Sequence, residues 1–138
     1  MGNPNGDRGR RWEKALVDYL RLRMGRQAVQ KPRQEGYIDV GDIHVSPFVL
    51  QAKDEQSHNF SGYINDAEKQ AEAAEEDYGV AVVKRRRYST SKGYVVMTVR
   101  TFALVTQRLR RAEELLLRAS PDLFDKHRDQ IKKENETP

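Results

Sequence analysis

Four residues carry the chemistry that this sequence offers: Glu13, Asp42, Gln51 and Lys53. Two short runs, Asp42-Ile43-His44-Val45 and Phe48-Val49-Leu50-Gln51-Ala52-Lys53, flank Ser46-Pro47 and read as a β-hairpin. Pairing that is symmetric about the turn sets Val45 opposite Phe48, Ile43 opposite Leu50 and Asp42 opposite Gln51. Directly opposed Cβ atoms lie ~4.5–5.5 Å apart. Lys53, two residues beyond Gln51, falls on the same face. Asp42, Gln51 and Lys53 therefore converge, while Ile43, Leu50 and Ala52 point the other way. A carboxylate, an amide oxygen and an ammonium at one strand end suit metal-dependent phosphodiester hydrolysis. Mg²⁺ takes oxygen ligands, and such a cation polarises a phosphate and makes water more acidic. The lysine orients the attacking water or offsets charge in the transition state. Glu13, flanked by Arg10, Arg11 and Lys14 and one residue off an apolar stripe, is the candidate fourth member.

The elements that must position these residues can be read from hydrophobic spacing. Trp12, Leu16, Tyr19, Leu20 and Met24 recur at three- and four-residue intervals, which predicts a helix from a cap at Asp7 to a stop at Gly25. A short strand is expected near Ala28 to Gln30, then the hairpin. Phe60 to Asp77 is rich in Ala and Glu and reads as a helix with Tyr63, Ile64, Ala67 and Ala71 inward. Val80 to Val83 reads as a buried central strand and Tyr94 to Val99 as another. Thr101 is the expected cap of a helix to Ala119 that buries Phe102, Val105, Leu109 and Leu116. Residues 121–138 read as a marginal helix fraying from Glu134. A helix between the third and fourth strands is a crossover and allows parallel pairing there. The class is α/β or α+β with a mixed sheet flanked by helices. Residues 1–119 form the expected domain and 120–138 a charged C-terminal helix or tail.

The 138-residue length leaves room for one modest core. The absence of cysteine excludes disulfides and zinc–thiolate sites. No stretch is long and apolar enough to be a membrane span, and the basic start lacks the apolar core of a secretory signal, so a cytoplasmic location is expected. The net charge of +4 hides a pattern: residues 1–35 carry +5, 36–83 carry −8, 84–111 carry +9 and 112–138 carry −2. Basic blocks attract phosphate backbones by counterion release. Arg8, Arg10 and Arg11, before the first apolar stripe, and Lys84, Arg85, Arg86 and Arg87, after the buried strand, are the candidate DNA contacts.

The ordered set Glu13, Gly41-Asp42-Ile43 and Gln51-Ala52-Lys53 resembles the PD-(D/E)XK nuclease superfamily, and within it Holliday junction resolvases of the archaeal and phage type. Asp66-Ala67-Glu68-Lys69, Gly79-Val80-Ala81-Val82-Val83-Lys84-Arg85-Arg86 and Tyr94-Val95-Val96-Met97-Thr98 are similar to segments of resolvases encoded by actinobacterial phages. The likeness spans roughly residues 7–110. It implies a restriction-endonuclease-like core, one or two Mg²⁺ or Mn²⁺ ions, a homodimer, and paired cuts across branched double-stranded DNA at a four-way junction. On that pattern Asp42, Gln51, the Ala52 carbonyl and Glu13 hold the metal, and Lys53 acts on the attacking water.

Gln51 departs from the family, which has Glu or Asp there, and an amide brings no negative charge to a hard cation. Three readings stand: an active natural variant, an engineered inactivation, or a binding-only relative. Asp54, Glu55 and Glu68 are candidates for the missing charge. His44 shares the Asp42 face and reads as structural. Asp39 falls on the other face if the strand continues back, Glu68 reads as solvated, and His58 lies in a loop within possible reach of DNA. A different class, an assembly or inhibitor protein docking through helix 60–78, predicts no salt-dependent DNA affinity.

Overall fold

A computed structural model describes residues 4–32, 39 and 41–138. The chain divides into two compact units, residues 1–97 and 98–138. The boundary expected at 119/120 therefore differs from the observed one, because the helix before it belongs with the helix after it.

In the first unit, helix α1 spans Pro4–Met24. It begins three residues before the expected cap at Asp7, with proline in the first turn, where its missing N–H is not needed. Gly25 takes a φ of 92° and ends the helix. The hairpin strands follow, β1 at Ile43–Val45 and β2 at Phe48–Lys53, with the antiparallel register Ile43↔Leu50, His44↔Val49 and Val45↔Phe48. Helix α2, Phe60–Ala73, crosses over to β3, Tyr78–Val83, which lies parallel to β2. Strand β4, Tyr94–Val96, closes an antiparallel edge, so the sheet is mixed in the order β1-β2-β3-β4.

Alternation along the strands splits the core. Trp12, Leu16 and Val17 of α1 pack with Ile43, Leu50, Val80 and Val82 on one face. On the other face Tyr63 of α2 packs with Ala81 and Val83. The Trp12 indole donates to the Val82 carbonyl at 3.0 Å, which ties α1 to the central strand. At Gly79 a Cβ would lie 2.1 Å from the Ala67 carbonyl oxygen, so the backbone of α2 rests directly on β3.

Several expected boundaries shift for identifiable reasons. No strand forms at Ala28–Gln30. A 3₁₀ turn occupies Arg26–Ala28, and Gln30 makes a single bridge to His44. Helix α2 ends at Ala73 rather than Asp77 because Glu75 adopts a left-handed φ of 57°, while Glu75 N–H donates to Glu72 and Glu76 N–H to Ala71. This is a Schellman stop without its usual glycine, and it frees Tyr78 to open β3. Strand β4 ends at Val96 and the next helix is capped by Thr98, whose hydroxyl accepts from Thr101 N–H, not by Thr101 itself.

The second unit is a pair of helices, α3 at Val99–Ala119 and α4 at Pro121–Glu136. Ser120 caps α4 through Leu123 N–H. His127 Nε2 meets Glu113 Oε2 at 2.7 Å between the two helices. The expected buried face of α3 is corrected: Phe102 and Leu109 are 61% and 56% exposed, and Thr101 is the buried residue. The C-terminal segment is helical through Glu136, beyond the expected fraying point at Glu134.

Candidate functional site

The site is built where β1 stops short of β2. The β1–β2 ladder ends at Ile43↔Leu50, and Asp42 N–H donates at 3.2 Å to the carbonyl of Leu50, the residue already opposite Ile43, so the expected pairing of Asp42 with Gln51 is not part of the ladder. Asp42 Oδ2 then accepts from Ala52 N–H at 2.9 Å. A strand residue directs its N–H and C=O toward the same neighbour, so the Ala52 carbonyl also faces the Asp42 side. Gly41, before Asp42, has φ 90°, and a Cβ there would lie 2.3 Å from Val49 Cγ1, so glycine alone fits the bend that aims Asp42.

Lys53, at the C-terminal end of β2, holds its ammonium 5.1 Å from the centre of the Tyr63 ring. The Tyr63 hydroxyl donates to Glu55, and burial, then that bond, pushes its pKa up. Burial raises the Asp42 carboxyl above its ordinary value, helped by nearby Asp39 and opposed by the Ala52 N–H, Lys53 and Lys31. Glu13, on the inner flank of α1, is raised by burial and by the charge of Asp42, with Lys31 and Arg10 opposing. Lys31 Nζ lies 4.0 Å from Glu13 Oε1. Two half-buried carboxylates, each raised by burial and by a neighbouring carboxylate (Glu13 by Asp42, Asp42 by Asp39), make a local field that favours a cation.

Gln51 is 7% exposed, and its Oε1 has no hydrogen-bond partner among the described residues. A buried amide oxygen left without a donor costs about 1–3 kcal/mol, and such an oxygen is a ligand that Mg²⁺ or Mn²⁺ accepts. The donor set of Asp42, Glu13, the Gln51 amide and the Ala52 carbonyl therefore fits a hard divalent cation in chemical type. It holds two carboxylates; no group of three or more His, Asp or Glu placed to hold a metal occurs among the described residues. The acidic substitutes for Gln51 are engaged elsewhere or exposed. Asp54 pairs with Arg86 at 3.0 Å and Lys84 at 3.9 Å, Glu55 takes the Tyr63 hydroxyl, and Glu68 is exposed.

A cleft of about 460 Å³ adjoins the lysine and is lined by Arg8, Ala52, Lys53, Asp54, Glu55 and Arg86. It joins both basic runs to the end of β2. The register Lys53↔Val83 starts the run Lys84 to Arg87 beside the site. The four cations are not equivalent. Lys84 and Arg86 are partly neutralised by Asp54, and the Arg85 guanidinium stacks 3.6 Å over Tyr88. Arg87, at φ 71°, is exposed. Arg8, Arg10 and Arg11 lie within α1, with Arg10 paired to Asp7 at 2.6 Å and Arg11 exposed.

Sequence reasoning missed Lys31 and Gln70, and set Asp39 on the face opposite Asp42. Gln70 Nε2 donates to Asp39 Oδ2 at 2.7 Å, and Asp39 Oδ1 accepts from Gly41 N–H at 3.0 Å, so α2 anchors the bend that carries Asp42. The strand does not continue back to Asp39, which is why its expected placement by alternation fails. His44 is half-buried and bridged to Gln30, and His58 stacks on Phe60. No family profile, curated protein or solved structure matches this chain.

Proposed function

We propose that this chain is a Mg²⁺- or Mn²⁺-dependent endodeoxyribonuclease of the PD-(D/E)XK kind. Its substrate is branched DNA, which it cuts in the manner of a Holliday junction resolvase. The observation that carries the reading is the meeting of Asp42, Ala52 and Lys53 at one strand end, with Glu13 coupled to Asp42 and a cleft that brings Arg8 and Arg86 to the same place. A bound divalent cation would supply Lewis acidity at the scissile phosphate. Asp42, held against Ala52 N–H, Glu13 and the Gln51 amide present oxygens to it. Lys53 places positive charge where the attacking water and the developing phosphorane charge meet. Arg8 and Arg86 hold flanking phosphates. Two copies in the host cytoplasm, one per strand, account for paired cuts.

A second reading, a branched-DNA-binding protein without catalysis, is favoured by one observation: among the described residues no carboxylate takes the place that Gln51 leaves. The full chain is tested on a four-way junction in Mg²⁺ and in Mn²⁺. Nicking that Asp42→Ala abolishes, with binding retained, supports the enzyme. Tight binding without nicking in either metal, and nicking gained in Gln51→Glu, supports the second reading.

A further inference from the structure

Three aromatic rings run in succession away from Lys53. The Tyr63 centroid lies 5.1 Å from its ammonium, the Phe60 ring stands edge-on to Tyr63 at 6.5 Å, and the His58 ring lies 5.4 Å from Phe60 at an interplanar angle of 9°. Tyr63 is core. The outer two are not: Phe60 is 45% exposed and His58 is exposed. Two parallel rings left in water near a cleft lined by Arg8, Lys53 and Arg86, together with Asp54 and Glu55, have a specific chemical complement. Each ring has one face taken by the other and one outer face that accepts a flat π-system.

The pair is held in place before any ligand arrives. Asn59, between the two rings in sequence, caps α2 by accepting from Gly62 N–H at 3.1 Å, which fixes where Phe60 starts the helix. The Tyr63 hydroxyl contacts Glu55 and the Ser57 carbonyl, so the loop that leads to His58 is tied back to α2. Such fixing lowers the entropy lost on binding. The neighbours Gln56, Ser57 and Asn59 are polar, which is the setting of a stacking surface rather than of an apolar protein–protein patch.

We propose that His58 and Phe60 form a stacking platform for an unpaired nucleobase of the DNA strand whose phosphate enters the cleft of Arg8, Lys53 and Arg86. This deepens the nuclease reading, on which it rests: the substrate is recognised by a base that has left its stack, as at a branch point, and not by paired duplex alone. A base inside a duplex has no free face for the rings, whereas an unstacked one does.

The test uses the full chain in metal-free buffer at low salt, with two DNAs of equal length. One carries 2-aminopurine at an unpaired position beside a duplex; the other carries it fully paired. The wild type is expected to quench the unpaired probe. Phe60→Ala and, separately, His58→Ala relieve the quenching and weaken binding of that DNA by about tenfold. Binding of the paired DNA changes by less than about twofold, because its phosphate contacts are intact. Phe60→Tyr, which keeps the ring, restores both signals and separates stacking from any effect on folding. Binding by the wild type with no quenching, or alanine variants that bind both DNAs as the wild type does, overturns the platform and leaves the nuclease reading standing. Absence of any DNA binding by the wild type overturns both.

Discussion

Asp42 Oδ2 accepts a hydrogen bond from Ala52 N–H at 2.9 Å across ten residues of chain. The bond stands in for the ladder contact that β1, ending at Ile43, does not extend to make. It places an ionisable oxygen against the strand that carries Gln51 and Lys53, in surroundings that push its pKa up. A carboxylate kept there against its own burial is poised to gain from a cation.

The stability of Asp42→Asn follows from that direction. A carboxyl whose folded pKa is raised is disfavoured in its charged form. The penalty is fully present at neutral pH, shrinks as pH falls through the raised pKa, and is gone below the ordinary 3.8. Asparagine keeps an acceptor for Ala52 N–H without the charge. In metal-free urea titrations the variant should be more stable than the wild type at pH 7, with the gain fading in acid. Mn²⁺ should raise the stability of the wild type more than that of the variant.

Lys53→Ala should lower cutting by on the order of 10²–10³ and leave junction affinity within a few-fold, since one phosphate contact among several is lost. Single-turnover cutting and equilibrium binding on the same DNA separate the two effects.

Arg8→Ala should weaken junction binding and reduce the slope of log affinity against log salt by about 1, and Arg86→Ala should reduce it by less, because Asp54 already partly neutralises Arg86. Arg85→Ala should change the slope less, because its guanidinium is stacked on Tyr88 at 3.6 Å. Filter binding across a salt series checks all three.

Gly79→Ala drives a methyl into the Ala67 carbonyl, 2.1 Å from the position its Cβ would take. Overpacking of this kind costs about 1–3 kcal/mol, occasionally more. The urea midpoint should fall with the slope unchanged.

The hairpin was legible because turn symmetry and strand alternation together leave one register, and Ile43↔Leu50 and Val45↔Phe48 are as the sequence requires. Glu13 was legible as a neighbour of the buried Trp12 and Leu16 stripe. The end of α2 was not, because its left-handed stop is Glu75 and carries no glycine to announce it. Lys31 sits in a segment without periodicity, so nothing local tied it to Glu13. The Gln70–Asp39 bond spans 31 residues between a helix and a bend, and no pairing rule links those two positions. The exposed Phe102 and Leu109 were misplaced because amphipathic spacing tells which residues share a helix face, not whether that face is covered.

The central claim meets its most direct test in strand cleavage of a labelled four-way junction by the purified full chain in Mn²⁺, beside Asp42→Ala. The proposed function predicts nicks by the wild type, none above background by the variant, and equal junction binding by both. Equal nicking by wild type and variant, or nicking unchanged by a chelator, would contradict it.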